Sequence, residues 1–364
     1  MSSYWGKNLK LTIFGESHSR GIGGVIDDLP AGISVDEAAI KEMLARRATG
    51  ISKIATARKE PDIPEILSGV FNGKTTGTPL AFVIYNSDQH SSDYDNIAST
   101  ARPAHADYTG FVRYGGYNDY RGGGHFSGRL TAPITFAGAL ANSWLESKGI
   151  YVAARIKSIC GIEDEDKNIE QLSADEVREL KAKPFPTISD GQGQKMFDCA
   201  MEAKNDLDSV GGVIECTIIN LPPGLGDPIF GAFESRLSEL LFAVPAVKGV
   251  EFGAGFDIAD MTGSEANDEF YMEGENIRTK TNYNGGVNGG ITNGMPVTFR
   301  VAIKPTASIS RPQNTVNFKT NTDAELVIKG RHDACITLRA VPVIESCAAL
   351  CAMDFLLGGK KIDE

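Results

Sequence analysis

Two stretches of this 364-residue chain are variations on one pattern. Gly23-Gly24-Val25-Ile26, followed by Leu29-Pro30-Ala31-Gly32, returns as Gly211-Gly212-Val213-Ile214 and then Leu221-Pro222-Pro223-Gly224. Gly73-Lys74-Thr75-Thr76-Gly77-Thr78-Pro79 is answered by Gly290-Ile291-Thr292-Asn293-Gly294-Met295-Pro296, and a strand-like run follows the proline in both. Each copy then reaches a turn bearing glycine and arginine, 122–129 and 330–339, before an apolar helix led in by Pro133 or Pro342. This period is far longer than the roughly 20–50 residues of a solenoid unit. The pattern predicts an α+β fold of two pseudo-duplicated halves, roughly 1–150 and 205–364, forming one domain. Chance likeness among glycine-rich turns is the competing account.

Six runs carry alternating or β-branched residues between glycine and proline boundaries and are expected as strands: 9–14, 24–28, 79–86, 151–159, 213–221 and 296–304. Helices fall between them. Ser34-Val35-Asp36-Glu37 has capping-box spacing, so Ser34 is expected to open a helix that ends on Arg46 and Arg47. Ser173-Ala174-Asp175-Glu176 is a second box. Asp227-Pro228 reads as a cap before a first-turn proline, ahead of Phe233, Leu237, Leu240, Leu241 and Val244 on one face. The acidic stretch 161–183 reads as part of a solvated helical insertion near 161–205.

Hydrophobic residues make up 41% of the chain, enough for a large core. No apolar run reads as long enough to span a bilayer. Residues 1–7 carry neither the charged start nor the apolar stretch of a secretory signal, so a cytoplasmic location is expected. Cys160, Cys199, Cys216, Cys335, Cys347 and Cys351 form no Cys-x-x-Cys pair, so neither a bound metal nor a disulfide framework is expected. Cys347 and Cys351 lie one helical turn apart in an apolar segment and read as small core residues. The net charge of −11 argues against nucleic acid as a partner. An anionic ligand must therefore meet positive charge concentrated locally.

Such charge occurs in motifs that also hold most of the histidines. Gly15-Glu16-Ser17-His18 follows the first strand, where a histidine can move a proton near neutral pH or merely fill a buried polar position. In Arg102-Pro103-Ala104-His105-Ala106-Asp107, the aspartate lies near enough to orient an imidazole if the loop allows. Arg121-Gly122-Gly123-Gly124-His125-Phe126-Ser127-Gly128-Arg129 leaves backbone amides uncovered for an anion, with ligand-capable side chains on both flanks. Arg46, Arg47, Lys53, Arg58 and Lys59 add charge, although Arg46 and Arg47 also suit the C-terminal end of their helix dipole. Lys304-Pro305-Thr306-Ala307-Ser308 and Gly330-Arg331-His332-Asp333 complete the set. Neither a P-loop nor a dinucleotide fingerprint is present. The inventory is that of a protein handling a polyanion whose reaction needs proton transfer.

Taken in order, the segments 15–18, 102–108, 121–124, 249–256, 285–294, 304–308 and 330–345 resemble chorismate synthases across nearly the whole chain. The resemblance implies a β-α-β sandwich, with antiparallel sheets around a helical layer, assembled as a homotetramer. It implies a carbon–oxygen lyase of the shikimate pathway of aromatic amino acid biosynthesis. That enzyme eliminates phosphate from 5-enolpyruvylshikimate 3-phosphate to give chorismate. Reduced FMN is required without net redox, and NADPH enters only as a reductant. The lack of a recognisable reductase domain points to an external flavin reductase.

By the same resemblance, His18 protonates the departing phosphate, His105 governs a proton on the flavin, and Asp333 helps remove the ring proton. Ser17 and Ser127 support that relay. Arg47, Lys53, His125, Phe126, Ser127, Gly289, Lys304, Pro305, Thr306, Ala307, Ser308 and Arg331 fall on cofactor-binding positions. Arg46, Arg47, Arg129 and Arg339 are expected to face the substrate. Three positions depart from the family pattern: His125 and Lys53 stand where arginine is frequent, and 126–130 replaces the common Ser-Ala-Arg-Glu run. Two other readings stand beside this one, a flavin-dependent oxidoreductase on a phosphorylated metabolite and a non-catalytic phosphometabolite binder.

Overall fold

Apolar alternation along the expected strands is what the two main sheets are built on. The computed structural model describes residues 3–50, 52–55, 60–86, 99–328 and 333–359. Its first part contains β1 (Tyr4–Trp5), β2 (Lys10–Gly15), β3 (Gly21–Asp27), α1 (Glu37–Arg47), β4 (Pro64–Ile66), β5 (Leu80–Tyr85), α2 (Asp107–Tyr114) and α3 (Thr131–Glu146). Then come β6 (Tyr151–Ile159), β7 (Ile162–Glu163), α4 (Ala174–Ala182), α5 (Asp190–Asn205) and β8 (Gly212–Ile219). The chain ends with α6 (Phe233–Ala243), β9 (Val247–Phe252), β10 (Val297–Ile303) and α7 (Thr337–Gly358).

One sheet has the order β1-β2-β3-β5-β4 and the other β7-β6-β8-β10-β9, every neighbouring pair antiparallel. Position by position the orders correspond. In each half a helix (α1, α6) joins the third strand of the order to the fifth, and a second helix (α3, α7) follows the fourth. The insertion lies between β6 and β8, and β6, which falls outside both halves as read from the sequence, pairs with β8 in the second sheet.

The duplication extends to individual hydrogen bonds. Thr75 Oγ1 donates to Pro30 O at 2.6 Å and accepts from Ile33 N at 2.9 Å. Thr292 Oγ1 donates to Pro222 O at 2.8 Å and accepts from Leu225 N at 3.0 Å. Both threonines are buried in the second strand of a short hairpin, Lys74–Thr75 or Ile291–Thr292, and each clamps a Leu-Pro-x-Gly loop. Chance likeness among turns does not reproduce a side-chain clamp.

Sheet one turns Leu11, Ile22, Ile26, Leu80, Phe82 and Ile84 inward, and sheet two turns Val152, Ala154, Ile156, Ile214, Ile218, Val297, Phe299 and Val301 inward, all buried. Helices fill the space between them. Phe82 of β5 stacks on Phe136 of α3 at 3.8 Å, and Phe233 of α6 stacks on Phe355 of α7 at 4.9 Å. At the centre α3 and α7 approach so closely that a Cβ on Gly138 would lie 2.2 Å from Ser346 Cβ. Burying large apolar side chains here contributes roughly 1.5–3 kcal/mol each.

The insertion covers the outer face of sheet two. Ile169, Leu172, Val177 and Leu180 pack on Ala153 and Ile219. Buried Arg155 pairs with Glu215 at 2.7 Å and Asp164 at 3.3 Å, while Asp164 accepts Ile188 N and Ser189 N at 2.7 and 2.9 Å. The acidic segment is thus solvated on one side only.

Several sequence expectations are corrected. The N-cap of α1 is Asp36, whose carboxylate takes Ala38 N and Ala39 N; Ser34 instead sits in a β-bridge with Lys74. Asp227-Pro228 leads into a 3-10 turn, Ile229–Gly231, and α6 starts only at Phe233, because Ile229 takes a left-handed φ of 64°. Pro342 lies inside α7 rather than at its start. Cys160 and Cys199 form a disulfide joining the end of β6 to α5, a pairing across 39 residues that local spacing does not reveal. Finally, α7 is long and apolar enough to cross a membrane by length and composition, but 83% of its most apolar window is buried in this core.

The end of α7 holds the N-terminus. Asp354, 2% exposed, accepts Lys7 N, Asn8 N and Leu9 N on one oxygen at 2.9, 2.7 and 2.8 Å. Asp354→Ala should leave three amides without an acceptor and cost about 3 kcal/mol or more. A denaturant titration of the variant reads this as a lower midpoint.

Candidate active site

The glycine triplet is the keystone of the site. Gly122, Gly123 and Gly124 have φ of 59°, 83° and 53°, a left-handed path closed to most side chains, which folds 121–126 back on itself. Beneath it lies the loop after β2, fixed by Asn86 Nδ2 on Glu16 O at 3.1 Å and Ser19 O at 2.8 Å. Ser17 N donates to Gly124 O at 3.1 Å. A Cβ on Gly122 would stand 2.3 Å from His18 Cε1 and 2.7 Å from Ser17 Oγ, whereas one on Gly123 would stand 3.2 Å from His105 Cε1. Successive glycines therefore touch two different histidines. His18 and Ser17 are buried.

His105 is oriented by its loop. Asp107, at the first turn of α2, accepts His105 Nδ1 at 2.7 Å. Arg102 also donates to that carboxylate, through N at 2.9 Å, Nε at 2.8 Å and Nη2 at 2.7 Å. Burial alone would raise the Asp107 carboxyl, but the hydrogen bonds from Arg102 and His105 outweigh it and hold the group well below the usual carboxylate range. Arg102 Nη2 also lies 3.0 Å from His105 Nδ1, but the ionised Asp107 is the shorter contact and favours the neutral tautomer with its proton on Nδ1, whose Nε2 lies beside Gly123.

Arg47 and Arg129 meet on a carboxylate pair, Asp62 and Glu60, that the sequence did not disclose, and Arg339 lies beside Arg47 on a third carboxylate, Asp333. Arg47 donates to Asp62 at 2.5 Å and to Thr131 Oγ1 at 3.2 Å. Arg129 pairs with the same Asp62, with Glu60 at 3.0 Å and with Asn86 Oδ1 at 2.9 Å. Arg339 Nη1 holds both oxygens of Asp333, at 3.0 and 2.8 Å, and its Nε reaches Arg47 O at 3.1 Å. Burial is the largest cause; with the charges of Arg339 and Arg129 added, it overcomes the pull of Asp62 and brings the Arg47 guanidinium down to about 10. Arg46 points elsewhere: its fork is taken by fully buried Glu345 of α7, at 2.6 and 2.9 Å.

The remaining candidates surround this centre unevenly. Lys304 follows β10 and donates to Ala104 O in the His105 loop, and Ser308 Oγ accepts Arg102 Nη1 at 3.3 Å. Pro305 is exposed, and Thr306 and Ala307 are half-buried between these two contacts. His125 is exposed, with Nδ1 on Gly15 O at 2.8 Å, and Phe126 packs on α2 near Gly110 and Tyr114. Ser127 caps the next turn by accepting Arg129 N at 3.3 Å. Lys53 is exposed, beside Ile54, whose carbonyl accepts Ala334 N. Gly289 lies in the turn of the hairpin Val287–Asn288/Ile291–Thr292. Arg331, with Arg58, Lys59 and His332, lies outside the described residues.

Ser17 Oγ, Arg129 Nη2 and Thr306 Oγ1 are buried with no hydrogen-bond partner among the described residues. Buried polar groups are rarely left so. Such unsatisfied polar groups, with a glycine cradle that any side chain would fill, suit an anionic flavin and a phosphorylated ligand. Among the described residues no cluster of three His, Cys, Asp or Glu is placed to hold a metal ion.

The sequence profile described as chorismate synthase matches residues 9–357. The chain belongs to the chorismate synthase family. It is 47% identical over 356 residues to a chorismate synthase of Thermococcus gammatolerans, covering 98% of each chain. It is 44% identical over 358 residues to one of Phocaeicola vulgatus, again with 98% of each covered. A crystal structure of chorismate synthase superposes with a TM-score of 0.75 at 28% identity, over 97% of this chain and 93% of that one. The expected family and sandwich fold are thereby confirmed.

Proposed function

We propose that this chain forms chorismate by eliminating phosphate and a ring hydrogen from 5-enolpyruvylshikimate 3-phosphate, as a shikimate-pathway lyase. The observation that carries the reading is the glycine triplet set between His18 with Ser17 and His105 with Ser127. When bound, reduced FMN lends electron density to the breaking carbon–oxygen bond and is not consumed.

The rest falls to the protein. His18 donates the proton that the departing phosphate needs, and Ser17 Oγ supports it. His105 presents Nε2 as a base or hydrogen-bond acceptor towards the flavin, its tautomer set by Asp107. Asp333, held on both oxygens by Arg339, takes part in removing the ring proton, with Ser127 in the relay. Arg47, Arg129 and Arg339 supply the local positive charge that an acidic protein must concentrate for such a substrate. Lys53, His125, Phe126, Gly289, 304–308 and Arg331 hold the cofactor. NADPH serves as reductant only, an external flavin reductase supplies reduced FMN, and the enzyme works in the cytoplasm as a homotetramer.

Anaerobic incubation with the enolpyruvyl substrate and chemically reduced FMN tests this. Equal amounts of chorismate and phosphate should appear over many turnovers per flavin. Consumption of one hydride per event would instead establish the oxidoreductase, and unaltered substrate affinity in a doubly substituted His18→Ala/His105→Ala variant without any wild-type turnover would establish a binder.

His125 offers a narrower check. With Nδ1 given to Gly15 O, its Nε2 is left for the ligand. His125→Ala should weaken reduced-FMN binding roughly tenfold, measured by anaerobic fluorescence titration. Unchanged affinity removes His125 from the site.

A further inference from the structure

We propose that Asp62 is a positioning residue for anion binding: its buried carboxylate locks Arg47 and Arg129 into one fixed pair, so that Arg129 Nη2 is presented to an oxygen of the phosphorylated substrate. The inference deepens the functional reading above and rests on it.

The need for such a residue follows from charge. Arg47 and Arg129 are 2% and 6% exposed, and two guanidinium groups in a poorly solvated space repel. Asp62 bridges them, accepting Arg47 Nη1 on Oδ2 and Arg129 Nη1 on Oδ1. Counting Arg339, three guanidiniums face three carboxylates, those of Glu60, Asp62 and Asp333. Among the described residues these charges balance, and their net charge does not explain how an anion would be selected.

Geometry does. Every other donor direction of Arg129 that is described has a protein partner: Nε on Asn86 Oδ1, Nη1 on Asp62 and Glu60. Nη2 is buried and has none among the described residues. Asn86 ties the same guanidinium to the loop carrying His18 through its amide on Glu16 O and Ser19 O. One arginine thus has its fork set by two carboxylates and an amide, with one nitrogen, Nη2, left unpaired among the described residues. Asp62 has a left-handed φ of 48°, which Asp and Asn tolerate and most residues do not. The backbone is shaped for this carboxylate.

Asp62→Asn keeps size and backbone shape while removing one negative charge. If net charge governed binding, the variant would hold anions more tightly. If Asp62 positions Arg129, binding weakens although the site has become more positive. Calorimetry with the enolpyruvyl substrate, backed by inorganic phosphate as a probe, should show a dissociation constant raised about tenfold or more. Reduced-FMN affinity should fall less than substrate affinity, because Arg47, itself a cofactor-binding candidate, keeps its bond to Thr131 Oγ1, whereas a general structural defect would shift both alike. Arg129→Lys, which keeps the charge but loses the fork, should weaken the same ligands alike and serves if Asp62→Asn fails to fold. Substrate affinity that is unchanged or improved in either folded variant overturns the proposal. Wild-type protein that binds substrate and reduced FMN without making chorismate sinks the functional reading instead.

Discussion

Gly122→Ala is expected to remove about 99% of turnover while the chain still folds. Two independent obstacles meet at this position. The backbone has a φ of 59°, where a side chain costs roughly 1–3 kcal/mol of strain. A Cβ would also stand 2.3 Å from His18 Cε1 and 2.4 Å from Nδ1, well inside contact distance. Either the imidazole or the triplet must move by about 1 Å, a misplacement able to cost about a hundredfold in rate. Measuring kcat at saturating substrate and reduced FMN, beside circular dichroism and a thermal melt, separates the two effects. A folded variant with wild-type kcat would show that His18 does not act where the triplet holds it.

Contiguous features were legible in the sequence; features assembled from a distance were not. All six expected strands exist, with ends within three residues, because each alternates between turn residues. The strand Val247–Phe252 went unnoticed because Lys248, Gly249 and Glu251 interrupt its apolar pattern. In the site, the His105 motif was visible because it contains its own orienting group, Asp107 two residues on, whereas His125 is held by Gly15 O from the distant end of β2. Asp62, Glu60, Asn86 and Thr131 act on arginines 15 to 84 residues away and have no periodicity to betray them. Arg46 and Arg47 show the limit most plainly. Neighbours in sequence but about 100° apart around a helix, they reach opposite partners, Glu345 and Asp62. A Glu-Pro-Asp run directly after a basic stretch was the available signal for Asp62, and it becomes informative only once the loop is seen to fold back.

Asp107→Asn should do more damage than its size implies, because one carboxylate serves two masters. Its side chain is 5% exposed and accepts three bonds from Arg102 and one from His105. An amide offers one acceptor oxygen and turns an N–H₂ towards either the guanidinium or the imidazole N–H. Arg102 then stays behind as a buried charge without its partner, at a cost of about 3–5 kcal/mol. His105 loses the group that fixes its tautomer, and turnover should fall about 10²- to 10⁴-fold. The pH dependence has a definite sign. The folded carboxyl is depressed, since bonding by Arg102 and His105 outweighs burial. Its stabilisation is therefore fully present above the unfolded value near 4, and is lost only as pH falls through the lower folded value. The stability gap between wild type and variant should narrow as pH falls from about 5 to below about 4. Denaturant titrations across that range read it directly, and a gap that stays constant into strong acid would mean that Asp107 is not the ionised hub of this loop.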